Sequence, residues 1–350
     1  MSRSWGRRAG VTVLAGAGIV VLFAGFFAPY DPSEQNRKFP YTPPMRVCFF
    51  EAGHFQFPPL VYSPGAGRDG GRTEEPPAIR LRFFERGTPY RIAGVIRWDR
   101  HLFEVGDPGK FFLLGTDALG RDQWSRLLYG GQVTLLAGVL GAGIALLLAV
   151  PLGAMAGYFG GWADALVMRM VELFLAMPWL YLLLATRAFL PLRVQPRVAF
   201  LLVVALTGVL GWARPARLIR GVAGSVRERD FVIAARSAGA GAGWILVRHI
   251  VPQTASVVLT QAALLIPQYM LAEVTLSFLG LGMSDPVPSW GNMLQAAQQY
   301  SVLMNDWWML APGVVMIPIF WSFAVLVDSG HEQVEFRHTW KSFARERLGS

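Results

Sequence analysis

The sequence predicts an all-α polytopic membrane protein of six transmembrane helices, with a small β-rich extracytoplasmic insertion between the first and the second. Three observations carry that prediction. The chain of 350 residues is 53% hydrophobic and only 16% charged, with a mean hydropathy of +0.38, where an ordinary soluble domain has about 25% charged residues. The apolar surplus is gathered into runs of about 20 residues, the length that crosses a bilayer as a helix. The arginines collect at the ends of those runs, as membrane orientation requires. The net charge of +9, from 32 Lys and Arg against 23 Asp and Glu, is therefore read as orientation in a lipid bilayer and not as a nucleic-acid surface. A lone cysteine, Cys48, excludes an internal disulfide. The histidines (His54, His101, His249, His331, His338) show no metal-ligand spacing.

In chain order, Arg3, Arg7 and Arg8 precede an apolar run over 9–28. It is longer than the roughly 7–15 residues of a signal-peptide core, and no small-x-small site follows before Tyr30-Asp31-Pro32. It reads as an uncleaved first span, so that 1–28 is a cytoplasmic N-terminus plus helix. Residues 29–131 form the insertion, rich in Pro, aromatics and charge. Within it, 47–50 and 55–57 read as strands flanking a turn at Gly53, and 79–83 and 91–96 alternate as strands do. Residues 65–71 are a flexible break. The insertion closes on a short amphipathic interfacial helix with Trp124, Leu127 and Leu128 on its apolar side, which Asp117 is placed to cap.

A core of five further spans is expected over 132–328. These are 134–156, rich in Gly and Ala for close packing; 165–190, holding Glu172 and Pro178; 198–212; 257–281, holding Pro267 and Glu273; and 307–327. A tight turn at 157–164 and an outer loop at 284–305 separate them, and 329–350 is a polar tail. With the N-terminus inside, the loop 213–252 (Arg214, Arg217, Arg220, Arg227, Arg229, Arg236, Arg248) and the tail (Arg337, Lys341, Arg345, Arg347) are both cytoplasmic, as the positive-inside rule prefers. Ionisable residues inside spans suggest function. Glu172 and Glu273 either orient helices or line a substrate path, and two isolated acids make no proton relay.

The loop 213–252 is the stretch around which the rest is organised. Ser225-x-x-Glu228 reads as a capping box that starts a helix. Phe231, Ala234, Ala235 and Ala238 then recur on one face, and Gly239 is a natural stop because it enters the left-handed cap without strain. A second helical run, 244–250, is expected to end before Pro252. An alanine-rich face has no bulk and approaches another surface closely, which suits a knuckle docking into a groove.

The pattern Ala234-Ala235-x3-Gly239-x10-Ile250-Val251-Pro252 resembles the "EAA" loop of ABC-importer permeases. The segment carrying Gly115, Thr116, Asp117, Gly120, Arg121, Asp122, Ser125, Arg126, Tyr129 and Gly130 resembles the "GTDxxGRDxxSRxxYG" signature of the C-type permease subunit of oligopeptide and dipeptide importers. Glu273-Val-Thr-Leu-Ser-Phe-Leu-Gly-Leu-Gly282 and Pro288-Ser-Trp-Gly-Asn-Met-Leu294, with Trp290, Gly291 and Asn292, extend the likeness, as does 156–162. It covers residues 115–327. The resemblance implies a type I ABC importer permease fold and half of a translocation pathway for peptides. It implies a second permease subunit as heterodimer partner, two ATP-binding-cassette ATPase subunits or domains, an extracytoplasmic substrate-binding protein, and an inner-membrane location with both termini cytoplasmic. It implies no catalytic residue, no cofactor and no metal in this chain, ATP and Mg being held by the ATPases. The coupling loop by this likeness is Asp230, Ile233, Ala234, Ala235, Arg236, Ala238, Gly239 and Pro252. The sequence departs from the family where Ile233 stands at the usual Glu; Asp230, three residues earlier, offers a carboxylate in its place. Gly241 and Gly243 add flexibility beyond the usual motif. The insertion is read as decoration or as a contact for the binding protein or the second permease.

The chemistry absent is consistent with that reading. There is no GxxxxGK[ST] loop, no GxSxG elbow and no HExxH, and Gly239-x-Gly241-x-Gly243 lacks the preceding strand of a nucleotide turn. Nickel chelates and similar small solutes remain alternative cargo. A membrane-anchored receptor or scaffold would need far fewer spans. An ion-coupled carrier would predict inverted repeats and a midplane ion site, and neither is evident.

Overall fold

The computed structural model describes residues 2–51, 54–62, 78–92, 95–105, 109–178, 181, 184–185 and 195–328. The chain divides into two compact units, one of residues 13–134 and 274–319, the other of residues 1–12, 135–273 and 320–350. Five helices among the described residues are long and apolar enough to cross a membrane: Trp5–Leu22, Gln123–Phe159, Pro196–Arg227, Ala255–Phe278 and Trp307–Asp328. The helix expected at 165–190 is described in part. It begins at Gly161 and runs to Ala176, and 179–180, 182–183 and 186–190 lie outside the described residues, as do Gly53, 65–71 and the tail 329–350.

In the first unit the strands are β1 (Val47–Glu51), β2 (His54–Tyr62), β3 (Ala78–Phe83), β4 (Arg86–Ile92), β5 (Ile96–Arg100) and β6 (Phe103–Val105). They make an antiparallel sheet of order β1-β2-β3-β6 and a separate β4-β5 hairpin. The period-two rule explains the sheet's core. Leu81 is buried with Val61, Val105 and Phe111, and Ile79 and Phe83 pack on the same cluster, while Arg80 and Arg82 are exposed. The strand expected at 91–96 is instead the end of β4 and the turn into β5, since Ile92 pairs with Ile96 across that turn.

The helices are α1 (Ser2–Leu22), α2 (Gln123–Phe159), α3 (Gly161–Ala176), α4 (Pro196–Gly211), then α5 (Ala213–Arg227), α6 (Asp230–Ser237) and α7, which joins Ala242–Ile245, a π turn Leu246–Ile250 and Val251–Gln253. After these come α8 (Ala255–Phe278), α9 (Trp290–Gln295), α10 (Tyr300–Asn305) and α11 (Trp307–Asp328). The expected short interfacial helix and second span are one continuous helix, α2. The turn after it narrows to Gly160 and Gly161, both at positive φ.

The second unit is packed through small residues. A Cβ at Gly138 of α2 would meet Ile266 O of α8 at 2.7 Å, and one at Gly208 of α4 would meet Ile144 Cβ of α2 at 2.6 Å. Both distances are shorter than real Cβ contacts, so these helices approach as only glycine permits. The Gly and Ala richness read from the sequence thus has its place in the packing.

Candidate functional site

Two sites gather the residues singled out above, one in each unit. The first is built by the segment 115–126. Gly115 and Gly120 both adopt φ +70°, where non-glycine residues are strained. A Cβ on either would overlap a backbone oxygen, Thr42 O or Asn36 O respectively. The turn between them folds back on itself: Asp117 Oδ1 accepts from Leu119 N and Arg121 N, each at 2.9 Å, and Asp117 Oδ2 accepts from Arg121 Nε at 2.6 Å. Asp117 therefore shapes the turn and does not cap the following helix. That role falls to Asp122, whose Oδ2 accepts from Ser125 N at 2.8 Å and Ser125 Oγ at 2.6 Å. Both carboxylates precede the same apolar run, and only the fold distinguishes them.

Arg121 and Arg126 converge on a residue the sequence reading did not mark. Asp285 Oδ1 accepts from Arg121 Nη1 at 2.6 Å and from Arg126 Nη2 at 3.4 Å. The Arg126 Nε lies 3.8 Å from Asp117 Oδ2. Arg121, Arg126 and Asp117 are buried, whereas the Asp285 side chain is 58% exposed. Trp290 is anchored to the same region: its Nε1 donates to Leu127 O at 2.9 Å and its backbone N to Thr134 Oγ1 at 3.3 Å. Asn292 and Ser289 form a reciprocal capping box for α9. A Cβ at Gly291 would lie 2.6 Å from Ser277 Cβ. The segments 115–134 and 285–294, far apart in sequence, thus form one clasp. The one signal that could have found Asp285 is its place as an acid just before the PSWGN block.

Charges in the clasp are set by their surroundings. Burial pushes the Asp122 carboxyl up to about 6, against the hydrogen bonds from Ser125 and the Trp124 backbone. Its Oδ1 accepts no hydrogen bond among the described residues. Burial would raise Asp285 too, but the hydrogen bond and charge of Arg121 and the charge of Arg126 hold it below the usual carboxylate range. Burial would lower Arg121, and Asp285 and Asp117 reverse that.

The second site is the loop 213–252. Helix α5 is amphipathic, with Ala213, Pro215, Ala216, Ile219, Ala223 and Val226 buried and Arg214, Arg217 and Arg220 exposed. It lies against α2 because Gly153 and Gly157 leave room: a Cβ on Gly153 would meet Ala216 O at 2.5 Å, and one on Gly157 would overlap Arg220 O. Arg220 is paired in bidentate fashion with Asp164 of α3, Nε to Oδ1 at 2.8 Å. Arg227 Nη1 donates to Tyr158 O at 3.3 Å. Ser225 sits in the last turn of α5, so no capping box forms there. Glu228 is the C-terminal cap of α5 and Arg229 precedes α6 with no side-chain cap.

Helix α6 is short and held on one side. Val232 is fully buried in a cluster with Ile245 and Ile250 of α7 and Ile219 of α5, and Ala235 packs at its edge. Asp230, Ile233, Ala234 and Ala238 are exposed. Asp230, Ala234 and Ala238 recur every four residues, so a bulk-free stripe headed by a carboxylate runs along the outer face. Asp230 lies in the first turn and Arg236 in the last, each favourably placed for the helix dipole. Arg236 also lies over the Tyr158 ring, 5.4 Å from its centre. The stop is a Schellman arrangement at Gly239, φ +83°, with Gly239 N donating to Arg236 O and Ala240 N to Ala235 O, both at 3.0 Å. The anchor, Val232, is the residue that the alanine-centred reading missed.

The helical run after Gly241 does not end before Pro252. A π turn at Leu246–Ile250 widens the helix, and Val251 N donates to Leu246 O. Pro252 therefore sits in the first turn of the segment that follows, where its missing N–H costs nothing. Of the acids in the spans, Glu273 is fully buried in α8. Glu172 lies on the exposed side of α3, where Arg169 Nη1 donates to it at 3.2 Å.

Several helices long and apolar enough to cross a membrane define a polytopic membrane component. The chain belongs to the family described as "binding-protein-dependent transport system inner membrane component", which matches residues 149–339. It is 37% identical over 212 residues to an oligopeptide transport system permease protein of Mycobacterium tuberculosis, covering 61% of this chain and 71% of that one. It is 35% identical over 215 residues to a dipeptide transport system permease protein of Bacillus subtilis, covering 61% of this chain and 65% of that one.

Proposed function

We propose that the chain is the transmembrane permease subunit of an ATP-driven importer of peptides and forms half of the translocation pathway with a second permease. The observation that carries this reading is the bulk-free outer stripe of α6, Asp230, Ala234 and Ala238, on a chain of this family. The names of the relatives above point to peptides as cargo. ATP and Mg are held, and ATP is hydrolysed, by two cytoplasmic ATPase subunits. An extracytoplasmic binding protein delivers the peptide. This chain supplies no catalytic group, metal or cofactor, and both termini and the loop 213–252 lie on the cytoplasmic side.

The physical demand on such a loop is stiffness. Closure of the ATPases moves α6, and α6 moves what it is bolted to. Val232, Ile245, Ile250 and Ile219 fasten it to α5 and α7, and the Arg220–Asp164 pair and the Gly157 contact fasten α5 to α3 and α2. In this reading the exposed Ile233 replaces an acid by an apolar contact, and Asp230 carries the only carboxylate on the outer face of α6. Reconstitution in proteoliposomes with the ATPases and the binding protein tests the whole reading. ATP-dependent uptake of a labelled di- or oligopeptide is expected. Uptake of a nickel chelate but no peptide would change the cargo, and no ATP-dependent uptake of either would overturn the function.

A further inference from the structure

Beside α6 the loop carries a second exposed surface. The ring of His249 on α7 lies between two exposed aromatics. It is 5.6 Å from Phe231 of α6 and 4.9 Å from Trp244 of α7, the latter edge-on at 72°. Phe231 is 40% exposed, Trp244 54% and Val247, one turn further along, 73%. Tryptophan and phenylalanine in this state leave apolar area in water at a cost of about 25 cal/mol per Å2, and a patch of them beside a docking helix marks an interaction surface. The rim is basic. Arg229 and Arg248, two residues from Phe231 and one from Val247, are exposed, and the loop carries seven arginines (Arg214, Arg217, Arg220, Arg227, Arg229, Arg236, Arg248) against the acids Glu228 and Asp230.

We propose that Phe231, Trp244 and Val247, bridged by His249, form a second foothold on the ATPase subunit, seated in an apolar pocket of that subunit with an acidic rim. The inference rests on the reading of α6 as the ATPase contact and deepens it. Two features favour that occupant over the bilayer surface. Phe231 belongs to α6, so the patch is continuous with the stripe at Ala234 and Ala238. Arg229 and Arg248 would meet an acidic protein rim at defined positions, a match that sets specificity and on-rate. Aromatic anchors in pockets carry most of the energy of such interfaces. This chain would accordingly assemble with an ATPase that presents such a pocket, and poorly with one whose socket is polar.

Cysteine labelling tests the foothold separately from the docking helix, because Cys48 is the chain's single cysteine. In a Cys48→Ser background, Val247→Cys and, separately, Ala234→Cys are labelled with a maleimide on the full-length chain in detergent, with and without the ATPase subunits. The expected result is that the ATPase slows labelling at both positions. Adding Phe231→Ala with Trp244→Ala should restore labelling at 247 and weaken ATPase binding about tenfold. Protection at 234 but not at 247 overturns the foothold and leaves α6 as the contact. Protection at neither overturns both. Equal protection of 247 by ATPase-free nanodiscs of anionic lipid assigns the patch to the membrane and overturns the proposal.

Discussion

Replacing Arg121 by Met separates the two halves of the clasp energetically. Arg121 makes one buried contact, to Asp117 at 2.6 Å, with the two side chains 9% and 6% exposed. It makes one screened contact, to Asp285 at 2.6 Å, with Asp285 58% exposed. Removing one partner of a buried pair weakens the compensation of the other charge in a poor solvent and costs about 3–5 kcal/mol where nothing replaces it; here Arg126 Nε stays 3.8 Å from Asp117 Oδ2. Removing a half-exposed partner costs about 1 kcal/mol or less. Asp117 keeps two backbone donors after the change, so the lower end of the first range applies, about 3 kcal/mol for Arg121→Met. Asp285→Asn should cost about 1 kcal/mol. With an unfolding entropy of about 2.1 cal/mol/K per residue over 350 residues, each kcal/mol moves the midpoint by roughly 1.4 °C, so thermal unfolding in detergent should fall by about 4 °C for the first variant and about 1–2 °C for the second. The double variant Arg121→Met with Asp117→Asn should lose less than the sum of the two single changes, because neither charge is then stranded. Equal shifts for Arg121→Met and Asp285→Asn would refute the reasoning, since burial would then not decide the cost.

Further outcomes follow from the same structure. The Asp122 carboxyl titrates from 3.8 in the unfolded chain to about 6 in the folded protein. Between these values the folded protein holds a proton that the unfolded chain has lost, so this contribution is present below about pH 4 and lost as pH rises through 6. Asp122→Asn should remove that slope, gaining up to about 3 kcal/mol on wild type between pH 4 and 7 in unfolding measurements, and an unchanged difference between the two pH values counts against it. Gly239→Ala has open space for its Cβ but φ +83° to adopt. It should cost about 1 kcal/mol in local stability and reduce ATP-coupled uptake, whereas Gly241→Ala, at φ −67° and ψ 150°, should be tolerated in both readouts. Gly157→Ala must push its Cβ against Ala223 Cβ, 2.7 Å away. It should lower stability by about 1–3 kcal/mol as overpacking does, read as a loss of folded protein in detergent.

The sequence made legible what depends on short-range rules and on the bilayer. Runs of apolar residues marked where the long helices lie, with ends within two or three residues for α8 and α11 but four to seven residues off for α1, and Gly239 stopped α6 because only backbone conformation is at stake there. Choices between equivalent local options were not legible. Asp117 and Asp122 both precede an apolar run, and Thr116, whose Oγ1 donates to Phe39 O at 2.5 Å and accepts from Thr42 N at 2.8 Å, holds the first in a turn and leaves the second to cap. Ser225 and Glu228 have the spacing of a capping box. The buried face of α5, from Ala213 to Val226, carries the helix past them. Pro252 reads as a stop, and the π turn before it removes the need for its missing N–H. The clasp was half visible. Arg121 and the PSWGN block stood out as patterns, but their meeting at Asp285 is a contact over 164 residues that no local rule reports.

The same distinction bears on how far the added glycines soften the docking loop. Flexibility follows from what a residue is free to do in the fold, and composition alone does not set it. Gly241 is spent as the N-terminal cap of α7, in an extended conformation open to any residue, and Gly243 lies inside the first turn of that helix, its backbone held by the helical hydrogen bonds around it. Ile245, just before the π turn, and Ile250, its last residue, are both fully buried and pin α7 to the cluster that also holds Val232. The hinge that Gly239, Gly241 and Gly243 suggest on paper therefore reduces to one residue, Gly239, whose left-handed conformation is itself locked by two hydrogen bonds. A knuckle so fastened is packed onto α5 through Val232 and Ile219, and the proposed transmission of force through α6 rests on that packing.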